Sequence, residues 1–361
     1  MKLEQSRFIQ VPSGKVLICY NEPTRYYNNY LGKDFSDSKE NIDLSEREFL
    51  NQIALIKKSL LKKYVSVETL PINSDIKSAM KKILNYSPDI IFNFVESIEG
   101  NSNYESYVAG FFDLLGIPYT GNGAIALGNC LIKSRTKLIL QSHGIRTPKH
   151  FVASAIELPK KNNFSLKFPV ILKLAREDAS IGISEFSVVQ NFDSMIERLN
   201  YLFSTFNQEV LIEEYIDGRE LNVAILGDQI LPISEILFDG LPDNLPKIIT
   251  YEAKWSPEST YYKHTMPKCP ALLDDTLRQK IEKMARESFE ALECRDYARV
   301  DVRLNQKNIP YVIEVNPNPD ISPDAGFVRS AAAAGIGYEE LLYIISSFAL
   351  KRIAYDTQAA G

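Results

Sequence analysis

Two apolar runs late in the chain, Tyr297-Ala-Arg-Val-Asp301-Val-Arg-Leu and Val312-Ile-Glu314-Val-Asn316, constrain its fold more than any other feature. Both are rich in β-branched residues and read as strands, yet acids interrupt each. Successive side chains of a strand alternate faces, so Glu314 and Asn316 point the same way. A hairpin between the runs sets Asp301 opposite them. Buried carboxylates are costly unless they are paired or bound to a metal. Two carboxylates and one amide oxygen suit Mg²⁺, which takes octahedral oxygen coordination and usually shares its ligands with nucleotide phosphates. Surface acids on a half-buried sheet are the plainer alternative, and the apolar neighbours of both acids argue against it.

The 361 residues suffice for two or three domains with full cores. With 45% hydrophobic and 24% charged residues, the composition is that of a soluble globular protein. A net charge of −5 argues against nucleic acid as the main partner. No apolar run reaches membrane-spanning length, and Met1-Lys-Leu-Glu-Gln-Ser lacks the apolar core of a signal peptide, so no membrane is expected. Cys19, Cys130, Cys269 and Cys294 follow neither zinc nor disulfide spacing and read as reduced thiols of a cytoplasmic protein. Three histidines, His143, His150 and His264, leave little room for histidine-based chemistry.

The first 130 residues alternate strand and helix. Strands are predicted at 15–20, 64–70 and 89–95, with helices at 46–62 and 104–115, the second ending before Gly116. Such βαβ alternation implies a parallel sheet. Residues 21–44 read as a long surface loop. A second unit, roughly 131–220, opens with a helix over 133–142. Strands at 151–154, 168–174 and 209–215 and a helix over 192–203 follow. The third, roughly 221–350, has strands at 221–226 and 230–238, an irregular stretch over 239–270 and a helix over 272–292. The acid-bearing strands come next, then helices from about Gly326 and Tyr338, with the tail beyond Arg352 frayed. A loop as long as 239–270 is usually functional or disordered.

Several segments can handle phosphate. Val170-Ile-Leu-Lys173 is a buried strand ending in a lysine, and Ser180-Ile-Gly182 lies in a small-residue loop after it. Backbone N–H groups of such a loop bind phosphate oxygens, and the lysine adds fixed positive charge; a hairpin turn with a solvated lysine has the same sequence. Glu213 and Glu214 close an apolar strand, where they can face an adenine amino group and ribose hydroxyls. Read alone, they serve better as solvent-facing acids at a hinge. Lys254, in Tyr251-Glu-Ala-Lys254-Trp255, opens the irregular stretch, and on a mobile flap it can close over a phosphate.

In order along the chain, these segments resemble the ATP-grasp superfamily, and within it the D-alanine–D-alanine ligase-like branch. Leu115-Gly-Ile-Pro-Tyr-Thr-Gly121, Leu131-Ile-Lys133-Ser-Arg-Thr-Lys and Gly144-Ile-Arg-Thr-Pro148 carry the likeness too, as do Glu213 to Glu220, Arg299-Val-Asp301 and Glu314-Val-Asn316-Pro. The resemblance spans roughly residues 85–350; the part before it matches only in being βαβ. It implies an α/β, three-domain ATP-grasp architecture. An amino-terminal βαβ parallel-sheet domain occupies 1–130, a central subdomain 131–220 and a carboxyl-terminal subdomain 221–355, with ATP held between two antiparallel sheets.

By the same resemblance, Lys133 and Lys173 contact the nucleotide phosphates. Glu213 meets the adenine amino group, Glu214 and Ile216 offer backbone groups to the ring edge, Glu220 binds ribose, and Gly182 belongs to the phosphate loop. Asp301, Glu314 and Asn316 hold two Mg²⁺ ions, with Mn²⁺ as a substitute. Arg299, Lys254 and Ser180 stand as catalytic candidates. The implied reaction joins a small-molecule carboxylate to an amine as an amide or dipeptide through an acyl phosphate, releasing ADP and phosphate. The resemblance favours a homodimer.

The chain also departs from the branch. A Gly-Gly-x-Ser-x-Glu element after the first strand is replaced by Tyr20-Asn21-Glu22-Pro23. Near the acceptor, Pro319-Asp320-Ile-Ser322-Pro-Asp324-Ala325-Gly326 places aspartate for glycine and alanine for serine. An acidic loop should repel a substrate carboxylate and favour a cation, so the expected acceptor is not D-alanine; a true D-alanine–D-alanine ligase of peptidoglycan synthesis and a catalytically inactive ATP-binding regulatory protein are the alternatives. Asp320 and Asp324 are the candidate contacts. For Asp324, capping the helix that starts near Ala325 is the better-supported role. Glu96, Glu99 and Glu105 lie where the family's amino-terminal domain faces substrate, and Glu105 also reads as an ordinary first-turn acid.

Overall fold

The structure, a computed structural model, describes residues 14–22, 44–177 and 180–359. The surface loop expected between Asn21 and Leu44 thus lies almost wholly outside the described residues. The amino-terminal part contains β1 (Lys15–Asn21), α1 (Leu44–Leu60), β2 (Ser66–Ile72), α2 (Ile76–Tyr86), β3 (Ile90–Phe94), α3 (Tyr104–Leu115) and α4 (Ala124–Leu131). Its strands form a parallel sheet in the order β2-β1-β3. Parallel strands covered on both faces read as continuous apolar runs, and β1 does so. Val16 and Ile18 pack with Ile53, Ile56 and Leu60 of α1, while Leu17 and Cys19 pack with Ala79, Ile83, Val108 and Phe112. Gly116 ends α3 in the left-handed conformation, φ 64°, and returns its N–H to Asp113 and Phe112.

The central part contains α5 (Lys133–Ser142), β4 (His150–Ala153), β5 (Val170–Leu174), β6 (Val188–Val189), α6 (Phe192–Phe206) and β7 (Val210–Glu214). Its antiparallel order is β4-β7-β5-β6. Asn191 caps α6, accepting from the N–H of Ser194. The apolar stripe Met195, Leu199 and Leu202 covers Val170, Leu172, Val210 and Ile212. Strand alternation therefore sends Lys173 and Glu213 to the opposite face.

The carboxyl-terminal part contains β8 (Glu220–Leu226), β9 (Gln229–Ile230), β10 (Ser234–Leu237), α7 (Tyr251–Trp255), α8 (Thr260–Lys263), β11 (Met266–Lys268), α9 (Asp275–Ala291), β12 (Tyr297–Leu304), β13 (Pro310–Asn316), α10 (Gly326–Ala333) and α11 (Tyr338–Ala359). The sheet runs β11-β10-β8-β12-β13, with β9 paired to β8. Leu221, Val223, Ala298, Val300 and Val302 meet Leu277, Ile281 and Ala285 of α9. On the other face, Ala224, Leu226 and Tyr297 join the core of β1 and α1, together with Leu341, Leu342 and Ile345 of α11. That face turns polar from Asn222 and Arg299 onward. The protein is thus of mixed α/β class with a parallel amino-terminal sheet, as expected.

Three local expectations need correction. The strand expected over 230–238 is broken into β9 and β10 around Leu231-Pro232-Ile233, where proline has no N–H for a ladder. The stretch 239–270 holds α7 and α8, capped by the hydroxyls of Thr250 and Ser259, and the edge strand β11. The chain beyond Arg352 continues helical to Ala359.

A buried polar knot joins the amino-terminal part to the rest. Asp296, 7% exposed, accepts from the N–H of Gly121 at 3.0 Å and from the guanidinium of Arg352. Arg352 also donates to the Tyr119 carbonyl, and Asn122 Nδ2 donates to the Tyr297 carbonyl at 2.8 Å. Burial raises the Asp296 pKa, and Arg352 opposes the rise.

Candidate functional site

The hairpin of β12 and β13 pairs Asp301 with Glu314 and Arg299 with Asn316, as the alternation in the sequence implied. On its other side, Asp301 faces Asn222 of β8. The Asp301 carboxylate accepts Arg299 Nε at 2.7 Å and Nη2 at 2.9 Å. Asn222 Nδ2 donates at 2.7 Å and Asn316 Nδ2 at 3.0 Å. Burial disfavours the Arg299 charge, but Asp301, then Glu314 and Asp320, outweigh it and raise its pKa. Asn222 escaped the sequence reading. Its signal was there: it follows Glu220 by two residues on a strand that is otherwise Leu-Val-Ala-Ile-Leu.

Above this hairpin lies a ladder of alternating charge. Lys133 Nζ meets Glu314 Oε1 at 2.7 Å. Lys137 Nζ meets Glu213 Oε1 at 2.7 Å, and Lys173 Nζ meets Glu213 Oε2 at 3.1 Å. The buried face of α5, Lys133, Thr136, Lys137 and Leu140, aims both of its lysines inward. The Lys133 N–H bonds the Ala175 carbonyl at 3.2 Å, fixing the start of α5 to the end of β5. Burial opposes ionisation of Glu314, yet Lys133 and Lys173 pull its pKa down to about 2. Burial likewise opposes ionisation of Glu213, and Lys137 and Lys173 hold its carboxyl below the usual range. Glu213 is only 1% exposed, so the solvent-facing reading of this acid is wrong: strand alternation turns it into the cleft.

Glu214 is half-buried and accepts from Lys167 N at 3.4 Å; Ile216 follows in the turn to β8. In that turn, a Cβ on Gly218, φ 152°, would lie 2.0 Å from the Leu304 carbonyl oxygen, so only glycine fits. Glu220 is buried and 3.5 Å from Arg303; burial raises its pKa, while Arg303 and, from farther off, Lys254 lower it. Lys254 is exposed on α7, which is docked: the Tyr251 N–H donates to the Ile183 carbonyl at 3.1 Å, and Ile248 and Tyr261 pack with Ile171. Ser180 (φ 64°) and Gly182 (φ 73°) both take left-handed backbone in the intervening loop.

At the far end, Asp320, Asp324 and Glu96 are all exposed. Asp320 Oδ1 accepts the Ser322 N–H at 2.8 Å and its hydroxyl. Asp324 is not a helix cap: Ala325 holds the cap position of α10 without a side-chain bond. Asp320 and Asp324 both raise the pKa of Tyr338 after burial, and Glu96 and Glu105 add to the rise at Tyr297. The Tyr297 hydroxyl donates to Asn318 Oδ1 at 3.1 Å, anchoring the loop that carries Asp320. Among the described residues, no group of three or more His, Cys, Asp and Glu side chains forms a metal cage.

The sequence profile of the D-ala D-ala ligase C-terminus family matches residues 139–346. The chain belongs to that family. A D-alanine–D-alanine ligase from Carboxydothermus hydrogenoformans is 32% identical over 309 residues, covering 82% of this chain and 92% of that protein. The uncharacterized protein y4sG from Sinorhizobium fredii is 31% identical over 265 residues, 73% of this chain and 75% of its own. The crystal structure of D-alanine–D-alanine ligase from Bacillus anthracis complexed with ATP matches with a TM-score of 0.71 at 26% identity. It covers 96% of this chain and 100% of that one. The protein is therefore an ATP-dependent carbon–nitrogen ligase of the D-alanine–D-alanine ligase family with the ATP-grasp fold. Among its described residues, no helix is long and apolar enough to cross a membrane.

Proposed function

We propose that this ligase activates a small carboxylate as its acyl phosphate and joins it to an amine bearing a second positive charge, not to D-alanine. The observation that carries this reading is the pair of exposed carboxylates, Asp320 and Asp324, on the loop after Asn316, with Asp320 in electrostatic reach of Arg299. A carboxylate acceptor would meet repulsion there, and an ammonium group would not.

A free carboxylate is a poor electrophile. Phosphorylation by ATP gives it a good leaving group, and that transfer needs mainly positioning and charge neutralisation. Lys133 and Lys173 bind phosphate oxygens, Lys254 reaches the transferred phosphoryl group, and Ser180 and Gly182 lend the loop beside it. Glu213 receives the adenine amino group, the backbone of Glu214 and Ile216 lines the ring edge, and Glu220 takes ribose hydroxyls. Arg299 steadies negative charge on the reacting centre, then on the tetrahedral intermediate formed when the amine attacks.

Asp301, Glu314 and Asn316 would hold two Mg²⁺ ions, or Mn²⁺. The fit rests on hard oxygen donors, one carboxyl kept ionised by Lys133 and the other cradled by Arg299. Mg²⁺ supplies charge neutralisation on the phosphates. The docked flap of α7 and α8 shields the acyl phosphate from water. The three expected domains, 1–130, 131–220 and 221–355, are part of the same proposal.

The test is ADP release from ATP and Mg²⁺ over a panel of D- and L-amino acids, diamines and short peptides, with Asp301→Asn as control. Release that requires a carboxylate and a dicationic amine, and that disappears in the variant, is the expected result. Release with D-alanine alone would restore D-alanine–D-alanine ligation, and Asp320→Gly with unchanged acceptor choice would remove the charge argument.

A further inference from the structure

Lys137 is a charged side chain only 1% exposed, and it plays no part in the chemistry above. It follows Lys133 by one helical turn, on the same buried face of α5. An ammonium group has three N–H bonds to place. The ammonium donates to Thr147 Oγ1 at 3.0 Å and to the Ile313 carbonyl at 3.4 Å, and it forms an ion pair with Glu213 Oε1 at 2.7 Å. The three partners lie on β7, on β13 and in the segment before β4, so the ammonium is held from three sides. Burial lowers the Lys137 pKa, and Glu213 is the first of the groups that oppose it.

Glu213 has a second partner, Lys173, whose side chain is 17% exposed at the cleft. In the proposed function Lys173 also serves the nucleotide phosphates, so its charge is shared between them and Glu213. Lys137, enclosed and held by Thr147 and Ile313 as well, remains as the permanent counter-ion. Its presence decides what Glu213 can recognise. An ionised carboxylate only accepts hydrogen bonds. It therefore attracts the amino group at C6 of adenine and repels the carbonyl at C6 of guanine. A protonated or displaced Glu213 would lose that distinction.

We infer that Lys137 is a positioning residue that holds Glu213 as an ionised acceptor and thereby sets the preference for 6-amino over 6-oxo purine nucleotides. The inference rests on the reading of Glu213 as the adenine contact. It requires no direct contact between Lys137 and the nucleotide.

Trp255, the single tryptophan of the chain, lies on the flap and gives a fluorescence signal for nucleotide binding. Mg²⁺-ATP and Mg²⁺-GTP would be titrated into the wild type, Lys137→Met, Lys137→Arg, Glu213→Gln and the double variant Lys137→Met/Glu213→Gln. Wild type should favour ATP. Lys137→Met should weaken ATP roughly ten- to hundredfold, the loss of a charge-assisted contact, while GTP changes little. Lys137→Arg, which keeps the charge, should retain the preference. In the double variant, loss of Lys137 should not narrow the ATP-to-GTP ratio beyond Glu213→Gln alone. That comparison removes both buried charges together, so it remains available if Lys137→Met alone fails to fold. An equal loss for ATP and GTP in Lys137→Met, or further narrowing in the double variant, would overturn the inference. A ratio untouched by Glu213→Gln would instead overturn the role of Glu213.

Discussion

Removing the charge from Asp301 probes the centre of the site directly. The carboxylate takes two bonds from Arg299 and one each from Asn222 and Asn316. The side chains of Arg299 and Asp301 are 22% and 8% exposed. An exposed ion pair contributes at most about 1 kcal/mol, whereas removing one member of a buried pair costs about 3–5 kcal/mol. The present pair lies between these limits. In Asp301→Asn, one oxygen still accepts, but an NH₂ group faces two former donors and Arg299 loses its counter-charge. We expect a loss of about 2–3 kcal/mol in urea unfolding at neutral pH without nucleotide. Arg299→Met should lose a similar amount, since it strands Asp301. The double variant removes both charges and should lose less than the sum, with a coupling of about 2 kcal/mol. Circular dichroism followed through the three unfolding curves yields that coupling. A value below about 0.5 kcal/mol would refute the view that Arg299 and Asp301 hold each other.

Other expectations follow from the same geometry. Lys133 and Lys173 lower Glu314 from 4.5 to about 2, against the effect of burial, a preference for the charged form of about 3 kcal/mol. This stability is present above pH 4.5 and is lost as pH falls toward 2. The gap in melting temperature between wild type and Glu314→Gln should therefore stay constant from pH 7 to 5 and narrow below. Lys254 is exposed, so Lys254→Met should leave urea unfolding within about 0.5 kcal/mol of wild type. On the role proposed for Lys254, the same change should slow ADP release at saturating ATP roughly a hundredfold; an unchanged rate would remove Lys254 from the chemistry. Arg352→Met strands the buried Asp296 and should cost about 2 kcal/mol. Asp296→Asn added to it should recover part of that loss in the same unfolding assay.

The sequence carried the acid-bearing hairpin of β12 and β13 because strand alternation has a strict period, and polar residues on an apolar background stand out against it. The starts of α10 and α11, and both ends of α3 and α5, were legible for similar reasons. Other features depend on what lies opposite in space. Glu213 looked like a hinge acid because Lys137 and Lys173 come from elements far from it in sequence. Asn222 is an amide, a weaker signal than a charge, and its partner Asp301 is 79 residues away. The helices α7 and α8 are single capped turns, too short to show a period. In α2, by contrast, the cap Asp75, accepting from Ser78 N at 3.0 Å, was a local signal left unread. Asp324 shows the converse: a favourable capping residue one position too early does not cap.

The way α11 closes the amino-terminal core bears on how the chain can fold during synthesis. Val16 and Ile18 of β1 share one cluster with Leu341, Leu342 and Ile345, and Arg352 reaches the Tyr119 carbonyl across 233 residues of sequence. After α1 has packed on β1, the rest of this face is buried only once α11 has left the ribosome. At about 5–20 residues per second, that interval is on the order of tens of seconds. For that time part of an apolar sheet face stays open, and contacts of such high sequence separation are slow to form. Closure of this core therefore waits for α11, and until then the parallel sheet is open to aggregation.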